Sequence, residues 1–212
     1  MMLTGRLRAR SLGGVELAAE ANLNANTVSL ILSNGLTCVL GLLFWGVAAR
    51  IFPAGDVGVA AALINSALML STLSLLSIDR FYERFLPIAG HRTGDLLTRG
   101  FLIAAAVAMG GGILLIVFGP RQALFSSTWV MVAYPLFVAV TAIFILQDKA
   151  LAGLGVARWA AAKNSVLAIG KFLALLAAAY LAGAGALAGS AAASTVIVAS
   201  WGVTATVIAA YV

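Results

Sequence analysis

Six apolar runs, each near the 20 residues a helix needs to cross a bilayer, occupy most of this 212-residue chain, and the charges lie almost entirely between them. The runs are approximately 27–49, 57–78, 100–118, 128–146, 165–182 and 191–212. Hydrocarbon offers no partner to a backbone N–H or C=O, so a segment crossing it must satisfy both internally, and each run is expected to be a helix. Charged residues make up 9% of the chain against about a quarter in soluble domains, which excludes a soluble globular fold. The expected architecture is all-α: an integral membrane bundle of six transmembrane helices over 27–212, preceded by a segment over 1–26.

The distribution of cations orients that bundle. Arg6, Arg8 and Arg10 precede the first run, Arg80, Arg84, Arg92 and Arg99 follow the second, and Lys149, Arg158 and Lys163 follow the fourth. The alternate connections hold only Arg50 and Arg121, while Lys171 lies within the fifth run. Ten cations against two on alternate sides place the rich segments in the cytoplasm, so the N-terminal segment and the links over 79–99 and 147–164 are expected inside. Both termini then face the cytoplasm and the chain forms three outward-pointing antiparallel hairpins in the cell membrane. After Arg10 the sequence brings in Glu16 and Glu20 without an apolar h-region, so the first run is expected to act as a signal anchor.

The short outer connections around Pro53 and Pro120 suit tight turns, and the longer inner links have room for interfacial helices. Gly110-Gly111-Gly112 and Gly185-x-x-x-Gly189 provide small residues that let helices approach closely in lipid. The net charge of +6 is scattered between apolar runs rather than gathered on an aromatic-interleaved surface, so the expected partners are membrane lipids and not nucleic acid. Cys38 is the single cysteine, which rules out an intramolecular disulfide.

No nucleophile-base pair, carboxylate pair, ligand cluster or phosphate loop is visible, so neither an enzyme, a metal site nor a cofactor is expected. His91 reads as a solvated loop residue. Polar residues within the runs carry more information, because each needs a partner or water. Asn65, Thr72 and Asp79 recur every seven residues and would form one polar stripe down the second helix. Ser29, Ser33, Thr37 and Gly41 recur every four in the first. Either the stripes line a common cavity, or their hydroxyls bond back to their own helix carbonyls and mark helix contacts. Asp79, Arg80, Glu83 and Arg84 precede Pro87 and allow an Arg80–Glu83 pair; they read either as an interfacial anchor or as guanidinium forks at a cavity mouth, suited to phosphate. Lys171 either reaches a cavity or snorkels to the interface.

The chain resembles a known family. Asn26-Thr-Val-Ser-Leu30, the turn Ala49-Arg-Ile-Phe-Pro-Ala-Gly-Asp-Val-Gly58, the tail Arg80-Phe-Tyr-Glu-Arg-Phe-Leu-Pro87 and the link from Asp148 to Asn164 look like the first lobe of polysaccharide biosynthesis membrane proteins. These are the oligosaccharide-lipid flippases of the multidrug/oligosaccharidyl-lipid/polysaccharide exporter superfamily. The resemblance implies two six-helix lobes around a central cavity, alternating access, and a polyprenyl-pyrophosphate-linked glycan as cargo. The last run reaches Val212 with no cation after it, as expected of a truncated product or one half of a split transporter that pairs with a second lobe or a second copy. Arg50, Arg80, Arg84 and Lys171 are then the candidate cations for the pyrophosphate, with Asn65, Thr72 and Asp79 as the polar lining. The alternatives are a structural subunit without transport of its own and a small-molecule or drug exporter. The latter is disfavoured because the seven acids lie outside the runs or at their ends.

Overall fold

The computed structural model describes residues 28, 31, 32, 35–125, 127–183 and 190–211, which form helices joined by turns with no strand among them. The apolar helix Gly35–Ile51 is α1. It is followed by α2 (Ala54–Ser74), α3 (Ile78–Phe85), two 3-10 turns (Leu86–Ile88 and Gly90–Arg92) and α4 (Thr93–Phe118). The single turn α5 (Arg121–Leu124), α6 (Thr128–Gly153), α7 (Ala157–Gly183) and α8 (Ser190–Tyr211) complete the order. Among the described residues five helices, α2, α4, α6, α7 and α8, are long and apolar enough to cross a membrane, which makes this a multi-pass, membrane-embedded protein. The 1–26 segment, Ser29, Ser33 and the Gly185 to Gly189 link lie outside the described residues.

Helix α6 is the axis of the bundle, meeting α2, α3, α4, α7 and α8. Its main neighbour, α4, buries only Gly100, Ala104, Ala108 and Gly112, one small residue every fourth position. That spacing keeps one face of α4 free of bulk and lets the two backbones meet, the usual substitute in lipid for hydrophobic driving force. At Gly112 a Cβ would stand 2.8 Å from Cα of Pro135 in the interior of α6. Gly110, two positions away, has open space around it, and a Cβ at Gly111 between them would meet Leu70 of α2 at 3.5 Å, so only Gly112 of the triplet is needed for the close approach to α6. Gly170 plays the same part between α7 and α8, against Thr204. The main core gathers Phe44, Leu63, Ile64, Tyr134, Phe137, Val138, Leu175 and Ile197 from α1, α2, α6, α7 and α8.

The helix ends depart from the apolar runs in two places. The run expected over 57–78 is not one helix: α2 begins at Ala54 behind Pro53, ends at Ser74, and is broken by Leu76 and Ser77, whose φ values of 46° and 66° are left-handed. Such a conformation costs about 1–2 kcal/mol for a residue with a side chain. Packing of α3 offsets it. Turned out of the α2 axis, α3 drives Tyr82 and Leu86 into a second core with Leu75, Ala104, Leu146 and Ala150. The Tyr82 ring fits there because Gly100 of α4 has no side chain to oppose it, and Gly153 of α6 lets the Tyr82 carbonyl and Leu86 approach its backbone. The link over 79–99 thus holds the expected short helix, whereas the 147–164 link holds none. There α6 continues to Gly153 and α7 starts at Ala157, with Gly155 (φ +75°) in the turn between them.

Candidate functional site

The extension of α6 past its apolar run follows from three consecutive polar residues. Successive helix positions are about 100° apart, so Gln147, Asp148 and Lys149 point to three different neighbours. Gln147 Nε2 donates to the carbonyl of Ala209 on α8 at 2.9 Å. Asp148 meets α7, with Oδ1 2.8 Å from Lys163 Nζ and Oδ2 accepting from Asn164 Nδ2 at 2.9 Å. Lys149 Nζ donates to Glu83 Oε1 of α3 at 2.8 Å. Lys163 is the most enclosed of these charges, its side chain 1% exposed. Its ammonium also donates to the Phe144 carbonyl at 2.6 Å and sits 3.5 Å from the centroid of the Phe144 ring. One turn of α6 therefore ties three helices to the axis. In the sequence Lys149 and Lys163 read only as loop cations. The legible signal was the acid at Asp148 placed between them at the end of an apolar run.

Lys171 is the other buried cation, roughly 21 Å along α7 from its start. It does not snorkel. It is 6% exposed, and its ammonium lies 4.1 Å from the ring centroid of Trp201 on α8 and 5.7 Å from that of Phe44 on α1. No carboxylate pairs with it among the described residues. Trp201 Nε1–H beside it is buried and meets no acceptor among those residues, as does Thr37 Oγ1 on α1. A donor and a cation thus share the interior between Phe44 and Trp201 without a matching anion among the described residues, and the two aromatic faces supply only partial compensation for the charge. No protein-family model, curated protein or solved structure matches this chain. Its chemistry is therefore read from its own residues.

The remaining candidates are dispersed. Asn65 and Thr72 are exposed on α2, and Thr72 Oγ1 donates to its own helix at the Leu68 carbonyl, 2.9 Å away. The stripe does not continue to Asp79, because the left-handed break at Leu76 and Ser77 puts Asp79 on α3, beside Arg80 at 3.8 Å. Arg80 also reaches Glu83 at 3.5 Å, the i,i+3 pair expected from the sequence. Arg80 and Arg84 stand on the exposed side of α3 while Tyr82 faces the core, so they line no internal mouth. Arg50 is exposed near the end of α1. Of the seven candidates, Asp79 and Arg80 are brought into contact and Lys171 alone is enclosed by the bundle.

Tyr82 Oη donates to the carbonyls of Leu97 at 2.9 Å and Leu96 at 3.2 Å, and burial pushes its phenol up to about 12. Between α6 and α8 an open groove of about 450 Å³ runs along Trp129, Ala133, Phe137, Val198, Gly202 and Val203. No charged residue lines it, so it suits hydrocarbon and offers a charged head no counter-charge.

Proposed function

We propose that the chain is a transporter lobe of the cytoplasmic membrane that moves a lipid-linked oligosaccharide precursor by alternating access, as its resemblance to the oligosaccharide-lipid flippases implies. The observation that carries the reading is Lys171. A charge enclosed at mid-depth and matched to no carboxylate costs several kcal/mol, in contrast to Lys163, whose charge Asp148 offsets. Retaining such a cation makes physical sense where an anionic head, here a pyrophosphate, passes it. The apolar α6–α8 groove supports the same reading, since a polyprenyl chain travels beside the bundle in lipid.

In this reading six helices cross the membrane, the N-terminus is cytoplasmic and three hairpins point outward. A second lobe or a second copy completes the path. Asn65 supports the last point: it stands on the exposed face of α2 roughly 17 Å from its start, a depth at which an amide demands water or a partner helix rather than lipid.

The test is complementation of a flippase-deficient strain by this chain with its partner lobe, at matched membrane abundance. Lys171→Met, which keeps the length and removes the charge, is expected to insert normally and lose transport. Wild-type transport by that variant would refute the role of Lys171. Orientation is checked after Cys38→Ser, with a new cysteine at Ala54 or Ala123; labelling of either from the cytoplasmic side alone overturns the topology.

A further inference from the structure

The outward face of α3 and the turns after it carries a charge pattern that the transport reading does not use. Tyr82 and Leu86 anchor one side of this segment in the core, and the opposite side presents Arg80, Phe81, Arg84, Phe85 and Ile88 to the surroundings. The acids of the segment are already engaged: Glu83 by Lys149 at 2.8 Å, and Asp79 by Arg80 at 3.8 Å. Arg84, Arg92 and Arg99 are exposed and meet no carboxylate among the described residues, and the one unengaged acid near them in sequence is Asp95. The segment therefore shows three unmatched guanidinium groups against one carboxylate.

The apolar residues on the same side are large and paired. The Phe81 and Phe85 rings lie 4.8 Å apart, and the Arg84 guanidinium carbon is 5.7 Å from the Phe85 centroid, so fork and ring are presented together. Ile88 is 77% exposed directly after them. A short amphipathic helix with aromatics and arginines outward, joined to the end of a membrane-length helix by a fixed bend at Leu76 and Ser77, matches the boundary between acyl chains and headgroups.

We propose that this elbow is a docking surface for the headgroups of anionic lipids, with Arg84 and Arg92 gripping the lipid phosphate and Phe81, Phe85 and Ile88 inserted below it. The planar guanidinium fork donates to two phosphate oxygens at once, while the apolar side chains exclude water beneath the contact. The occupant is a lipid rather than a soluble phosphate because half of the surface is hydrocarbon.

The detergent-solubilised full chain is titrated with short-chain phosphatidylglycerol and with phosphatidylcholine of the same chain length, and bound lipid is counted by native mass spectrometry. Phosphatidylglycerol is expected to bind more tightly, and Arg84→Gln/Arg92→Gln to weaken it by about fivefold for each arginine removed. Arg121→Gln, on an exposed arginine outside this segment, is expected to leave the affinity unchanged. Arg84→Lys/Arg92→Lys, which retains the charge and loses the fork, is expected to bind phosphatidylglycerol more weakly than the wild type and more tightly than the double glutamine variant. Equal binding of the two lipids by the wild type, or unchanged phosphatidylglycerol affinity in the double glutamine variant, overturns the proposal. Displacement of the lipid by inorganic phosphate at equal concentration also overturns it, by revealing a site for the free ion.

Discussion

Removal of the Asp148 charge tests the packing of the bundle most directly. Lys163 is held by three contacts: the Asp148 carboxylate at 2.8 Å, the Phe144 carbonyl at 2.6 Å and the Phe144 ring face at 3.5 Å. Asp148→Asn keeps the size of the side chain and an oxygen for Asn164, so it isolates the loss of charge. At an effective dielectric of about 20, two unit charges 2.8 Å apart attract by about 6 kcal/mol, a gross figure that desolvation of both groups largely offsets in the intact pair. Once the carboxylate is gone the desolvation of Lys163 remains and its partner does not, so the expected loss is about 3–5 kcal/mol. Replacing both residues, Asp148→Asn with Lys163→Met, removes the buried charge together with its counter-charge and is expected to recover most of that loss. Titration from dodecyl maltoside into dodecyl sulfate, followed by helical circular dichroism, measures Asp148→Asn, Lys163→Met and the double variant against the wild type and closes a double-mutant cycle. If Asp148→Asn unfolds within about 0.5 kcal/mol of the wild type, or the double variant is as unstable as the single, Lys163 is not held as an enclosed charge and the reasoning fails.

Gly112→Ala is expected to push α4 away from α6, because its Cβ would stand 2.8 Å from Pro135 Cα, at a cost of about 1–3 kcal/mol; Gly110→Ala, with open space, is expected to be neutral in the same titration. Tyr82→Phe removes the hydroxyl that donates to Leu96 and Leu97 and is expected to cost about 1 kcal/mol. The Tyr82 phenol also sets a pH dependence: with its folded value raised to about 12, the folded state holds the proton more tightly than the unfolded chain. Its contribution is complete below about pH 10 and is lost as pH rises toward 12. The difference between wild-type and Tyr82→Phe absorbance titrations at 295 nm should therefore show one phenol titrating near 12; a difference centred near 10 would contradict the burial of Tyr82.

Membrane embedding and helicity were legible in the residues alone, because both follow from the solvent. A run of about 20 apolar residues has one way to satisfy its backbone in hydrocarbon, whatever its neighbours are. Small residues in α4 were visible as a composition, and the choice of Gly112 over Gly110 as the contact was not, since it depends on which face of α4 meets Pro135. Periodicity likewise aligned Asp79 with Asn65 and Thr72. It carries no term for a bend, and the bend at Leu76 and Ser77 is held because the Tyr82 ring packs on Gly100 and the α3 backbone on Gly153, residues distant from it in sequence.

The two buried lysines show the same division most sharply. From sequence, Lys163 was one more cation at a cytoplasmic end and Lys171 stood at a depth where reaching a cavity and snorkelling were equally open. Both have the same stem and the same charge. What separates them is their surroundings: Asp148 on α6 neutralises one, and Phe44 and Trp201 on α1 and α8 face the other with rings alone. Hydrophobicity acts on each residue singly and can be summed along a chain, whereas the energy of a charge in a low-dielectric interior depends on what lies within a few ångströms of it. That neighbourhood comes into being when the helices pack.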